Sequence, residues 1–310
     1  GCETPELSLL EETADLLVEE PEAFRTALQA QLKNGASYPA ARAYALRQCL
    51  PALPAEFLSG ANNILSLEYL KAVRRLHSEM TPFPLLRSGQ DYHNTDIIPD
   101  AFSSASAIRH SYEKASSLEK CADAMPEEVY ELLAGHPDRF GISLSDFDLL
   151  LYYALRRACR NGTLTGYGDI STELANRIEK ELASYKDADS FILSLKRKNI
   201  TYARISRCLF QLLLEIPSTV CSGTMQPVPY LRLLGMRRSK SSYLRRITEV
   251  PIITKPANAW VQAASSPYSC ATDYLKIDFL AADLYRQVLS HKTGCPIPDE
   301  YHSGVIIMED

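Results

Sequence analysis

The residues best suited to chemistry lie in Ser103-Ser104-Ala105-Ser106-Ala107-Ile108-Arg109. The run follows a strand-like segment, Phe83-Pro-Leu-Leu-Arg87, and a polar turn, Ser88-Gly-Gln-Asp-Tyr-His93. Serines at a helix start cap free backbone N–H groups. Those N–H groups and the helix dipole together make a seat for phosphate. Arg109 falls one turn after Ser106 and can reach the same anion with a planar guanidinium fork. An ordinary serine-capped helix with a surface arginine also explains the spacing.

A second chemical signal is charge. The chain carries −5 overall, yet residues 190–250 hold 11 Lys and Arg against Glu215 and Glu249. That segment is therefore +9 in a chain whose remaining residues sum to −14. Residues 1–35 oppose eight acids to Arg25 and Lys33. Such asymmetry points to a polyanionic partner, with the acidic remainder limiting indiscriminate binding. A solvated basic face with no partner is the plainer alternative.

Other chemistries find little support. The eight cysteines are scattered, none in a C-x-x-C, and the six histidines do not cluster with them. Reduced core thiols in a cytoplasmic protein are expected, and a metal site is not. A composition of 46% hydrophobic and 23% charged residues is that of a soluble globular protein. No apolar run reaches the roughly 18 residues needed to cross a bilayer, so no membrane partner is expected. The chain opens on Gly1, as expected of a processed product or a piece of something longer.

The elements that must position these residues follow from periodicity. Helices are predicted over 5–19, 21–33, 37–49 and 63–78, the last burying Leu65, Tyr69, Ala72, Val73 and Leu76. Asn62 is a natural N-cap for it. Thr81–Arg87 reads as an edge strand or strand entry, because Pro82 and Pro84 suit no central ladder. This order fits the late part of an α/β nucleotide domain, where ligands gather beyond the carboxyl ends of strands. After Lys114 helices follow one another. A capping-box-like start at Ser145–Asp148 opens one to about Arg160, and further helices lie near 171–184, 188–197, 200–215, 239–247 and 272–290. Short apolar pieces at Pro229–Gly235 and Pro251–Thr254 read as extended. The fold class expected is α/β followed by mainly α: a Rossmann-like part over 1–117, then a mostly helical, partly basic domain over 118–310.

Six pieces in order carry a resemblance: Lys33-Asn-Gly-Ala-Ser-Tyr-Pro-Ala40, Asn62-Asn-Ile-Leu65, Arg87 with Asp91-Tyr-His93, Ser104–Arg109, Tyr202-Ala-Arg-Ile-Ser-Arg207 and Pro229-Tyr-Leu-Arg-Leu-Leu-Gly-Met236. The chain resembles the tRNA(Met) cytidine acetate ligase family, a branch of the H-x-G-H nucleotidyltransferases. The resemblance implies cytoplasmic enzymes that activate acetate with ATP as acetyl-AMP. They then pass the acetyl group to N4 of the wobble cytidine of elongator tRNA(Met). It implies ATP contacts at Gly1, Asn62, Arg87, Ser104, Ser106 and Arg109. The family's H-x-G-H segment is not found in this sequence, so no catalytic histidine is assigned, and the 310 residues alone are expected not to form acetyl-AMP. His93 is expected to be a polar turn residue.

Attack of a carboxylate on the α-phosphate of ATP is positioning plus charge neutralisation. Arg87 and Arg109 would hold the polyphosphate, Asn62 the ribose or base, and Mg²⁺ would bridge phosphates. The basic segment supplies candidates for tRNA phosphates: Lys196, Arg197, Lys198, Arg204, Arg207, Arg237, Arg238 and Lys240. Tyr202 and Tyr230 can stack on bases or pack in the core. An adenylyltransferase with a small-molecule acceptor and a non-catalytic RNA-binding module are the competing functions.

Overall fold

Apolar residues three and four apart build the first helices, each burying one stripe. A computed structural model describes residues 1–88, 97, 103–115, 118–136, 142–197, 200–221 and 228–309. Helix α1 (Leu7–Glu19) buries Leu10, Ala14 and Leu17, and α2 (Glu22–Lys33) buries Phe24 and Leu28. Helix α3 (Tyr38–Cys49) buries Ala41, Ala45 and Leu46 against α2, while α1 packs on α4 (Ala61–Arg75).

Helix α4 corrects the sequence reading. Its buried residues are Asn63, Leu67 and Leu70, whereas Leu65, Tyr69 and Leu76 are exposed. The period is helical as expected, but the phase is set by a buried asparagine that no apolar count selects. The expected strand at Thr81–Arg87 is reduced to one parallel bridge, between Leu86 and Cys2. Cys2 N–H donates to Leu85 O at 2.9 Å, and Arg87 N–H donates to Cys2 O at 2.9 Å. Pro82 and Pro84 have no N–H to extend the ladder.

The chain divides into two compact units, Gly1–Gly135 and His136–Asp310. The division falls after Gly135 because α5 (Ala105–Ala115) packs on the 3-10 turn Glu119–Ala124, which in turn packs on α6 (Glu127–Ala134). Cys121 is fully buried in that contact, its thiol donating to Ile108 O at 3.7 Å.

The second unit begins with a helical core. Helices α7 (Asp148–Asn161), α8 (Thr172–Glu181), α9 (Ala188–Leu195) and α10 (Tyr202–Leu213) bury Leu155, Ile178, Ile192, Leu195, Ile205 and Leu209 together; the short α11 (Ser218–Cys221) follows. Their starts are capped by side chains: Ser171 Oγ accepts from Leu174 N–H, Asp187 from Ser190 N–H, and Thr201 Oγ1 from Arg204 N–H. The expected capping box lies two residues earlier, at Ser143 and Asp146. Asp148 is used differently, accepting from Ala188 N–H at 2.7 Å and so joining α7 to the start of α9.

Gly168 is a position where only glycine fits. Its φ is +54°, and an added Cβ would lie 2.4 Å from Gln211 Oε1 and 2.7 Å from Gln211 Cβ. Gln211 Oε1 accepts from Asp169 N–H at 3.2 Å, so the glutamine is held in place. Gly168→Ala is expected to cost about 2 kcal/mol from left-handed backbone strain and crowding. The midpoint of urea unfolding reads this out, and an unchanged midpoint would refute it.

The remainder of the second unit carries four short strands. β1 (Leu231–Arg232) pairs in parallel with β3 (Ile252–Ile253), and β2 (Gly235–Arg237) with β4 (Ile306–Met308). Helices α12 (Ala259–Ala264) and α13 (Ala271–Thr293) close a smaller core of Tyr230, Ile253, Ala259, Leu275 and Phe279. The expected helix over 239–247 is a 3-10 helix, Arg238–Arg246, with no buried residue. Helices dominate and both strand pairs are parallel, so the fold class read from the sequence stands.

Candidate functional site

The first unit gathers three of the sequence candidates around residues 1–3. The bridge between Cys2 and Leu86 is parallel, so Gly1 stands beside Leu85 and Glu3 beside Arg87. Arg87 is exposed, and its guanidinium makes no hydrogen bond or ion pair among the described residues. Glu3 then reaches the start of α4. Its carboxylate accepts from Asn62 N–H at 3.1 Å, Asn62 Nδ2 at 2.7 Å and Asn63 N–H at 2.6 Å. Asn62 is therefore not the N-cap; Gly60 holds that place, and a distant carboxylate satisfies the free amides. Burial works to raise the Glu3 pKa, but the hydrogen bonds from Asn62 and Asn63 prevail and hold it below the usual carboxylate value. The anion seat at this helix start is thus filled internally, while the Asn62 amide oxygen accepts no hydrogen bond among the described residues.

Asn63 is the residue that sequence reasoning missed. It is 1% exposed. Its Oδ1 accepts from Glu3 N–H at 2.9 Å and Thr4 N–H at 3.0 Å, and its Nδ2 donates to Thr4 Oγ1 at 3.1 Å and Phe57 O at 3.0 Å. A side-chain amide thus does the work of a neighbouring strand for residues 3 and 4. The doublet Asn62-Asn63 is the available signal, since one amide can cap while the other turns inward. Gly1 also borders an apolar cavity of about 460 Å³, lined by Tyr69, Val73, Leu76 and Phe83.

The serine run is placed at the start of α5. Ser104 is buried and caps the helix, its Oγ accepting from Ala107 N–H at 3.0 Å. Ser103 Oγ is buried without any hydrogen-bond partner, an orphan of the kind a bound anion relieves. Ser106 is half-buried and Arg109 exposed. The packing of α5 runs to the 3-10 turn after it, and His93 and its neighbours 89–96 lie outside the described residues.

The basic segment of the second unit is less free than its charge count implies. Arg204 makes a two-pronged pair with Asp169, at 2.9 and 3.1 Å, and Arg207 lies 4.0 Å from the same carboxylate. Arg238 is forked onto Glu309, and Arg232 pairs with buried Glu300. Arg197 donates to Ser194 O and Lys196 O. Lys196, Arg237 and Lys240 are exposed and have no ion pair among the described residues. Lys198 lies outside the described residues. Neither expected aromatic is offered for stacking. Tyr230 is buried with its hydroxyl on Asp278 at 2.6 Å, and Tyr202 donates to Asp189 at 2.6 Å. Burial, then that hydrogen bond, push the Tyr202 pKa up to about 12.

No group of three or more metal-ligating side chains occurs among the described residues. No described helix is long and apolar enough to cross a membrane.

The chain belongs to a nucleotidyl transferase family: the HIGH Nucleotidyl Transferase model matches residues 1–295. Its particular likeness is to proteins named tRNA(Met) cytidine acetate ligase. The one from Thermoanaerobacter sp. (strain X514) is 33% identical over 294 residues, spanning 92% of this chain and 70% of that protein. The one from Kosmotoga olearia is 30% identical over 304 residues, spanning 92% and 71%. The crystal structure of apo Thermotoga maritima TmcAL superposes with a TM-score of 0.87 at 22% identity, over 100% of this chain and 76% of that one. A second crystal form, bound with alpha-thio ATP, gives 0.83 at the same identity. At that identity the two structures establish the fold.

Proposed function

We propose that the chain is part of an ATP-dependent enzyme that acetylates the wobble cytidine of elongator tRNA(Met), in the cytoplasm. The observation that carries this reading is kinship over 92% of the chain with proteins bearing that name. The geometry supports it in the first unit, where residues 1–3 lie between Asn62 and an Arg87 that has no ion pair among the described residues.

In the first step an acetate oxygen attacks the α-phosphorus of ATP, a P–O bond breaks, and pyrophosphate leaves with its charge. In the second, cytidine N4 attacks the acetyl carbonyl carbon, AMP departs, and N4 loses a proton. Arg87 and Arg109 would neutralise the polyphosphate with charge-assisted hydrogen bonds. Ser103 and Ser106 would give hydroxyls to phosphate oxygens, with Ser104 holding the α5 amides in place. Asn62 would accept from the ribose or base. Mg²⁺, when bound to ATP, spreads the charge of the leaving group. In the second unit, Lys196, Arg237 and Lys240 are the basic residues best placed to meet tRNA phosphates, with Arg207 beside them in charge.

Arg87→Ala is expected to weaken ATP binding ten- to a hundredfold, the worth of about 1.5–3 kcal/mol for a hydrogen bond to a charged group. Arg25→Ala, on an exposed face of α2, is the control and should leave it unchanged. Equilibrium titration with ATP decides; equal affinities in the two variants would rule out the role of Arg87.

A further inference from the structure

A concave surface of about 810 Å³ opens in the second unit between α7 and α8. It is lined by Tyr153, Arg156, Arg157, Arg160 and Asn161, with Glu179 of α8 on its far wall. The helix period makes this a single face, because residues 153, 156/157 and 160 recur every three or four positions. All three arginines and Tyr153 are exposed, the tyrosine by 64%.

The charges in this hollow are poorly neutralised from within. Arg157 is paired with Glu215, two residues beyond the end of α10 and with φ +54°. Arg156 and Arg160 have no hydrogen bond or ion pair among the described residues, and Glu179 pairs with neither of them. Like charges four residues apart on a helix repel by a few tenths of a kcal/mol, so an anion bridging the two guanidiniums would relieve that repulsion. The residues lie about 6 Å apart along the axis, a step that successive phosphates of one strand can match. A flat phenol ring one turn earlier adds what a free phosphate does not need and an unstacked base does.

We infer that this hollow on α7 is a docking site for an RNA strand, with Arg156 and Arg160 on successive phosphodiesters and Tyr153 stacked on a base. The inference rests on the tRNA reading above and adds a contact surface outside the basic segment. Arg157 is neutralised by Glu215, and that pair orders the wall of the hollow.

The test is fluorescence anisotropy of a labelled elongator tRNA(Met) transcript, and of an unrelated RNA hairpin, across a series of salt concentrations. Wild-type affinity should fall steeply with salt. Arg156→Gln/Arg160→Gln should flatten the slope of log affinity against log salt by about 1.4–1.8, two phosphate contacts at roughly 0.7–0.9 each. Tyr153→Leu should weaken binding several-fold with the slope unchanged. Arg25→Gln serves as a control for loss of a surface charge elsewhere, and thermal melting confirms that each variant is folded. A double variant with wild-type slope and affinity overturns the docking site and leaves the tRNA reading intact. A wild-type protein that binds neither RNA overturns both.

Discussion

Replacing Glu300 by alanine is expected to cost about 3 kcal/mol, the lower end for breaking a buried ion pair. Glu300 is 6% exposed and lies between two guanidiniums. Arg232 pairs with one of its oxygens, and Arg286 with the other at 2.8 Å. Arg286 is further fixed by donating to Pro298 O and Ser303 Oγ, both at 2.7 Å, and Arg232 stands over the Phe279 ring at 5.5 Å. Alanine would leave two like charges, their side chains only 20% and 23% exposed, facing each other with no anion between. For a unit of this size the loss corresponds to roughly 6–12 °C in Tm. Calorimetry or urea unfolding measures it; a loss below about 1 kcal/mol would show that water already shields the triad.

Asn63→Ala should have a comparable effect on stability and a second effect on nucleotide binding. The substitution removes both acceptor bonds to the backbone of residues 3 and 4 and leaves Phe57 O without a donor. Unsatisfied buried groups cost about 1–3 kcal/mol each, so a loss of about 3 kcal/mol in total is expected after relaxation. Residues 1–3 carry the pairing that sets Glu3 beside Arg87, so their release should also raise the Kd for ATP tenfold or more, although Arg87 itself is untouched. Unfolding and ATP titration on the same sample separate the two. Normal ATP affinity in a destabilised but folded variant would detach the asparagine from the proposed nucleotide site.

Much of the helical frame was legible in the sequence, because α1 to α3 and α7 to α10 each bury a stripe at helical spacing. The phase of α4 was not. Asn63 faces inward because it replaces a strand neighbour for residues 3 and 4, and apolar periodicity cannot register a polar anchor. Strand β4 was missed for a related reason: its partner, β2, lies 71 positions earlier at Gly235↔Ile306, and no local pattern announces so distant a pairing. The basic segment was visible as charge but not as free charge. Asp169, Glu300 and Glu309, all outside residues 190–250, take up Arg204, Arg232 and Arg238. Arg156, Arg157 and Arg160 are legible as charge in an acid-free stretch over 149–168, but no local pattern shows that they line a hollow.

The two parallel strand pairs near the chain's end have a kinetic consequence. A parallel pair cannot close through a tight turn, so both pairs must wait for long loops to be drawn together. Helices α7 to α10 assemble from neighbours in sequence and can form first. The segment holding β1 to β4 and α12 should then join last and open first. Its amides would exchange with solvent at a lower free energy than those of Leu155, Ile192 or Leu209, giving the second unit two cooperative layers rather than one.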